Sequence, residues 1–252
     1  MAEPFKVIIA GGSLGGLMLA LQLERAGIDY IVLEKGEIGP QLGASIGFQP
    51  HSVKLFEQLG VWDDMKSITV PMGNRQHFDE HGKCFEDSAL FTEIHKNLVG
   101  VPGLIFWFFY VKLPSVTRMP NCPRFTDEDA HALVDQYGKT FTVNAGLGAN
   151  TAYEGTTRLV NGLHDLLQEH PQPTQSQLSS MFSVYEQAQR SKAEFVLKIS
   201  AAVTRYEAQD TWLLKKASRW LSPYIPDFFK AYLYAGYSSQ GPILKFLADP
   251  DA

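Results

Sequence analysis

Cysteine is scarce. Cys84 and Cys122 are the two in 252 residues, they have no CxxC spacing, and nothing about them implies a disulfide framework or a zinc site. Positive charge is not in excess either: the net charge is −5, the isoelectric point is about 5.8, and no basic tract invites nucleic acid. The most apolar run, Leu98 to Val111, contains Gly and Pro and is too short to span a bilayer. The N-terminus, Met-Ala-Glu-Pro-Phe-Lys, leads into the first apolar stretch with no signal-peptide region. These absences describe a cytoplasmic protein with no signal peptide and no transmembrane helix. His77, His81, His95 and His131 lack metal-ligand spacing and read as solvated surface residues, so no metal is expected. Asp127, Glu128 and Asp129 follow Thr126 and read as first-turn helix charges rather than a catalytic carboxylate pair. Gly12-Ser13-Leu14 lacks the flanks of a nucleophile elbow. No residue presents itself as catalytic.

What the chain does have is Lys6-Val-Ile-Ile-Ala-Gly-Gly-Ser-Leu-Gly-Gly16. A β-branched run ends in a glycine cluster, a helical pattern runs from about Leu14 to Ala26, and Gly27 sits where a helix C-terminus wants it. Tyr30-Ile-Val-Leu33 reads as the next strand and ends on Glu34. A strand–turn–helix–strand unit closed by an acid is the layout of a dinucleotide-binding half-domain. Gly11 permits the tight turn out of the strand, and Gly16 lets the helix pack closely on the sheet. Free N–H groups at the helix start, with its dipole, face a pyrophosphate. Glu34 can accept hydrogen bonds from ribose hydroxyls and would repel a 2′-phosphate, which favours FAD or NAD over NADP. Ser13 departs from the G-x-G-x-x-G pattern, and its Cβ crowds the pyrophosphate approach. The competing reading is a glycine-rich turn that binds nothing.

Beyond this unit, a Gly- and Ser-rich loop spans Glu37 to Gln49, and Pro50 opens a helix to about Leu59, closed by Gly60. Residues from about Ile68 to Phe85 resemble a hairpin turning at Asp79 to Gly82. Ile105 to Val111 is strand-like and aromatic, and a short helix is expected over Asp127 to Val134. From about Thr126 strand signals nearly vanish. The cluster Gly146-Leu-Gly-Ala-Asn150 opens a helix running to about Gln168. A Pro-rich hinge, Pro171 to Thr174, precedes a long amphipathic helix whose apolar face is expected at Leu178, Phe182, Tyr185, Val196, Leu197 and Val203. The tail, Trp212 to Tyr237, mixes Trp220, Tyr224, Phe228, Phe229 and Tyr232 with Lys215, Lys216, Arg219 and Lys230. It has two readings: a segment lying on a membrane surface, which would make the protein membrane-associated, or a helical flap over the core.

The N-terminal motif, joined to Gly43-Ala-Ser-Ile-Gly47 and to Asn144-Ala-Gly-Leu-Gly-Ala-Asn-Thr-Ala152, resembles fungal FAD-dependent monooxygenases of indole-diterpene and meroterpenoid biosynthesis. These belong to the aromatic-hydroxylase-like flavoproteins. Supporting phrases are Leu23-Glu-Arg-Ala-Gly-Ile-Asp29, Phe91-Thr-Glu-Ile-His95 and Pro123-Arg-Phe-Thr-Asp-Glu-Asp129. The resemblance implies FAD as cofactor, NAD(P)H as reductant, and a small isoprenoid olefin as substrate. In the family, O₂ adds at flavin C4a and the hydroperoxide epoxidises the olefin. Carried over, Gly11, Gly12 and Gly16 line the pyrophosphate, Glu34 holds the ribose, Gly47 makes a backbone contact, and Ala149 lies beside the flavin ring at a helix start.

The chain departs from the family in three places. An Asp-Arg pair expected after His95 is missing, as is a Gly-Asp pair before Asn144, and Leu147 and Gly155 replace a usual Gln and Asp. Two internal deletions, real or coding sequence skipped as intron, describe this. The implied fold class is α/β: a truncated FAD/NAD(P)-binding Rossmann-like half-domain with a mostly helical C-terminal half. Residues 1–100 form the FAD (ADP-moiety) binding βαβ region, 101–143 a remnant of the substrate-domain sheet, and 144–252 the flavin-side helix and C-terminal helical region. A different reading is a catalytically degenerate relative that binds a nucleotide or a partner without turnover. A third is a cofactor-independent cyclase or isomerase.

Overall fold

The computed structural model describes residues 4–39, 47–68, 74–79, 81–97, 147–207, 209, 211–238 and 241–249. They form a mixed α/β structure that is mostly helical. The strand expected over 105–111 and the helix expected over 127–134 lie outside the described residues, as do Gly43 to Ile46 and Asn144.

Strands β1 (Lys6–Ala10) and β2 (Asp29–Leu33) pair in parallel, Val7 opposite Tyr30 and Ile9 opposite Val32, on either side in sequence of helix α1 (Leu14–Arg25). Gly27, with φ of +67°, turns the chain out of α1 in a conformation that side chains resist. The period-two alternation sends Val7, Ile9, Tyr30 and Val32 into the core with Met18 and Leu23 of α1. It also leaves Ile8, Ile31 and Leu33 on the opposite face, 67%, 46% and 53% exposed. Parallel sheets usually have both faces covered.

Helix α2 (Pro50–Leu59) has Pro in its first turn and ends on Gly60 in the left-handed region, as the sequence predicts. It buries Val53, Leu55, Phe56 and Leu59. Helix α3 (Trp62–Ile68) was not expected; its acidic first turn, Asp63 and Asp64, is a helix-start signal. The hairpin is therefore shorter than read: β3 (Arg75–Phe78) and β4 (Cys84–Ser88) pair antiparallel, and the Asp79 carboxylate accepts the N–H groups of His81 and Lys83 in the turn. Helix α4 (Leu90–Asn97) follows.

Helix α5 (Leu147–Glu169) occupies the middle of the structure. Its apolar side chains Tyr153, Val160 and Leu163 are buried, and so are four polar ones, Asn150, Glu154, Thr157 and Asn161. Their four–three–four spacing places them in one seam. Thr157 accepts a hydrogen bond from Gln22 of α1 at 3.0 Å. Glu154 sits 3.2 Å from His51 of α2 and 3.4 Å from Lys192. Asn161 donates to the Ile243 carbonyl and accepts the Lys245 N–H, while Gln58 of α2 accepts the Leu244 N–H and donates to the Leu244 and Ala248 carbonyls. Two amide side chains thus hold residues 241–249 and seat Leu244, fully buried, in the core. A Cβ on Gly241 would lie 2.4 Å from His51, so this segment also needs a glycine at its close approach to α2.

Helix α6 (Gln175–Glu207) packs along α5, where Gly155 faces Gln189 and Tyr185, and Gly162 faces Met181. Two residues of the expected apolar face are corrected. Phe182 and Leu197 are 45% and 69% exposed, because the inward stripe runs through half-buried Leu178, Met181 and Tyr185 and buried Val196, and Met181 and Val196 stand one position before them. Helix α7 (Trp212–Trp220), a 3-10 turn (Ser222–Tyr224) and α8 (Asp227–Ser238) follow.

The hairpin is fastened to these last elements by charge. His77, expected at the surface, is buried at 5% exposure, because its Nδ1 lies 2.6 Å from Glu86 on the paired strand. Glu86 also accepts from Ser222 at 2.9 Å and from Lys230, and lies 3.7 Å from Arg75. Asp227 accepts the Ser88 hydroxyl at 2.6 Å and the Ala89 N–H at 2.8 Å. Burial alone would raise the Glu86 carboxyl, but the bonds from His77 and Lys230 and the charge of Arg75 outweigh it and hold the pKa at about 2.

Two outcomes follow for stability. Leu244→Ala should cost about 2–5 kcal/mol, read as a lowered urea midpoint. The Glu86 carboxyl is depressed from its ordinary 4.5 to about 2, so its contribution is fully present above about pH 4.5 and is lost as pH falls through the folded value. Glu86→Gln should therefore destabilise by about 3–5 kcal/mol at neutral pH, and the gap to wild type should narrow as the urea midpoints are followed into acid.

Candidate functional site

The βα turn is built by steric exclusion. Gly11 has φ of +113° and donates its N–H to the Leu33 carbonyl at 2.8 Å, closing the turn onto the end of β2. A Cβ on Gly16 would lie 1.9 Å from the Gly11 carbonyl oxygen, so only glycine lets α1 start this close to the strand. Above Gly11 and Gly15 a Cβ would meet nothing within 4 Å, which leaves open space over the turn. Ser13, the N-cap of α1, is exposed and makes no side-chain capping bond. The first N–H groups of α1 thus receive no cap from it, and with the helix dipole they favour an anion.

Glu34 closes the site on the β2 side. One carboxylate oxygen accepts the Gly12 N–H at 2.7 Å and the other the Gly36 N–H at 2.9 Å. These two bonds, Gly12's first, hold its carboxyl below the usual range, so it stays ionised at neutral pH. A Cβ on Gly12 would lie 3.2 Å from that of Glu34, so the turn and the acid are in close contact. Gly11, Gly12, Gly16 and Glu34 are therefore one group.

Gly47 and Ala149 form a second group, joined by a residue that the sequence reading did not single out. Asn150, in the first turn of α5, is fully buried. Its Oδ1 accepts the Gln49 N–H at 2.9 Å and the Ser52 hydroxyl at 2.6 Å, and its Nδ2 donates to the Gly47 carbonyl at 2.8 Å. The signal was a polar side chain set among Gly and Ala at a helix start. Ala149, beside it, is half-buried against the core. The packing of α1 on α5 through Gln22 and Thr157 ties the two groups into one framework. The neighbouring Glu154 is held low despite burial by His51 and Lys192.

Gly16→Ala should lower stability by at least about 1–3 kcal/mol, because the new methyl meets backbone that must move. Asn150→Ala should cost about 1–3 kcal/mol for each polar backbone group it strands, and the Gln49 amide should exchange with solvent markedly faster in hydrogen-exchange measurements.

Residues 4–106 match the family model described as an FAD binding domain. FAD, the cofactor that the family resemblance implies, is the cofactor of that domain family, and the close glycine contact, the open space above it and the carboxylate at the end of β2 fit such a group. The chain is 40% identical over 127 residues to the FAD-dependent monooxygenase cdmI of Talaromyces verruculosus, covering 46% of this chain and 26% of that protein. It is 46% identical over 104 residues to the FAD-dependent monooxygenase penE of Penicillium thymicola, covering 40% and 22%. The matched part is thus about a quarter of each relative's length. Among solved structures, Klebsiella pneumoniae HpxO complexed with FAD and uric acid is 28% identical over 40% of this chain and 25% of that chain, with a TM-score of 0.33, too low to bear on fold or function. Through its FAD-binding region and further stretches, the chain resembles the fungal FAD-dependent monooxygenases.

Proposed function

We propose that this chain binds FAD and acts as an FAD-dependent monooxygenase on a small isoprenoid olefin in a fungal secondary-metabolite pathway, forming an epoxide with NAD(P)H as reductant. The observation that carries the FAD binding is the turn at Gly11 and Gly16, where backbone contact excludes side chains and open space lies above the helix start, and the oxygenation is inferred from the resemblance to fungal FAD-dependent monooxygenases. In this reading β1, α1 and β2 are a shortened Rossmann-like half-domain. Gly11, Gly12 and Gly16 line the pyrophosphate, with the first N–H groups of α1 directed at its charge. Glu34 accepts the ribose hydroxyls and shares its carboxylate with the Gly12 N–H. Gly47 offers backbone to the cofactor, and the α5 start at Ala149 favours negative charge beside the ring. FAD, when bound, supplies the redox chemistry; the chain binds it, orients it and limits water.

One observation favours a nucleotide-binding chain without turnover. Ile8, Ile31 and Leu33 leave the outer face of the sheet exposed, and enclosure is what oxygen chemistry needs. The readings part in a single experiment. Recombinant protein incubated with FAD and desalted should keep the visible flavin bands, and NADPH oxidation should rise when a polyprenyl olefin is added. Flavin retained without NADPH oxidation would select the non-catalytic reading, and a colourless protein would refute the monooxygenase. Glu34→Ala should weaken FAD retention by about 10–100-fold, the loss of charge-assisted bonds to the ribose, as read by flavin fluorescence titration.

A further inference from the structure

We propose that the outward face of α7, the turn after it and α8 is a docking surface for an anionic lipid bilayer. The inference does not rest on the flavin reading.

Helix α7 carries its apolar side chains the wrong way round for a soluble surface. Ser218 is buried, whereas Trp212 and Trp220 are 71% and 77% exposed. Trp212, Lys216 and Trp220 recur at intervals of four, so they share one stripe, and the Lys216 ammonium lies 5.0 Å from the Trp212 ring. The exposure continues through Tyr224 at 82%, Phe228 at 64% and Tyr232 at 73%. Exposed aromatics at this density mark an interaction surface rather than scattered surface residues.

The base beneath them is fixed. Ala231 packs on Leu90 and Ile94 of α4, and Lys230 is bound to Glu86. The stripe therefore stands on anchored helices.

Chemistry selects the occupant. From Thr211 to Ser238 the chain has four cations and one carboxylate, although its overall charge is −5, and with Lys230 spent inward on Glu86 and Asp227 three cations remain, Lys215, Lys216 and Arg219. That carboxylate, Asp227, is engaged inward by Ser88, Ala89 and Lys230. The face is thus cationic and aromatic on an acidic protein. Trp and Tyr, with an apolar body and a polar tip, are the residues of the headgroup level, and cations beside them meet anionic lipid. A second copy of the chain would set cation against cation.

The test is flotation of the full chain with vesicles of phosphatidylcholine alone and of phosphatidylcholine with phosphatidylserine. Wild type should float with the anionic vesicles only, and less at high salt. Trp212→Ala with Trp220→Ala, both at exposed positions, should reduce partition by about tenfold or more with unchanged helical circular dichroism. Lys216→Ala should reduce it by about fivefold, and serves if the double variant loses helix. Absence of flotation, equal flotation with both vesicles, or partition unchanged in the variants would overturn the proposal. So would concentration-dependent self-association that the double variant abolishes without any vesicle binding.

Discussion

The structure depends on one line of buried polar side chains along α5. Asn150, Glu154, Thr157 and Asn161 each reach a different part of the chain: the loop before α2, the ion pairs of His51 and Lys192, helix α1, and residues 241–249. A buried polar group is costly unless it is bonded, so each contact is obligatory once the helix is enclosed. Apolar packing around Tyr153, Val160 and Leu163 supplies attraction without direction. The polar seam supplies the direction. It fixes where α1 and the Gly47 backbone stand relative to the start of α5.

The parts legible in the sequence are those whose cause is local. The turn at Gly11, the exit at Gly27 and the stop at Gly60 each need backbone freedom that one residue type has, so the glycines could be read one by one. What was misread depends on distant partners. His77 looked like a surface residue because nothing in its own strand announces Glu86 across the hairpin and Lys230 far beyond. Phe182 and Leu197 looked like core because an apolar residue one step from the stripe fits the same period. The seating of Leu244 rests on amide bonds to Gln58 and Asn161, and no pattern near Leu244 predicts them. Asn150 carries a local mark, a polar side chain among Gly and Ala at a helix start, but its partners Gly47 and Gln49 are far away in sequence.

The glycine turn and the Asn150 clasp answer different demands. The first is negative: side chains are excluded so that the start of α1 can approach the backbone at Gly11. The second is positive: a side chain holds the Gly47 and Gln49 backbone that would otherwise be free to shift. A parallel pair of strands has little rigidity of its own. Here α1 and α5 stiffen one face, while the other, with Ile8 and Leu33, stays exposed.

The central claim is that the glycine turn and the start of α5, distant in sequence, form one FAD site. Amide hydrogen exchange with and without FAD tests it most directly. The account predicts protection by FAD in two places at once, over residues 11–17 and over residues 147–152. Protection confined to the turn, or to neither segment, would contradict it.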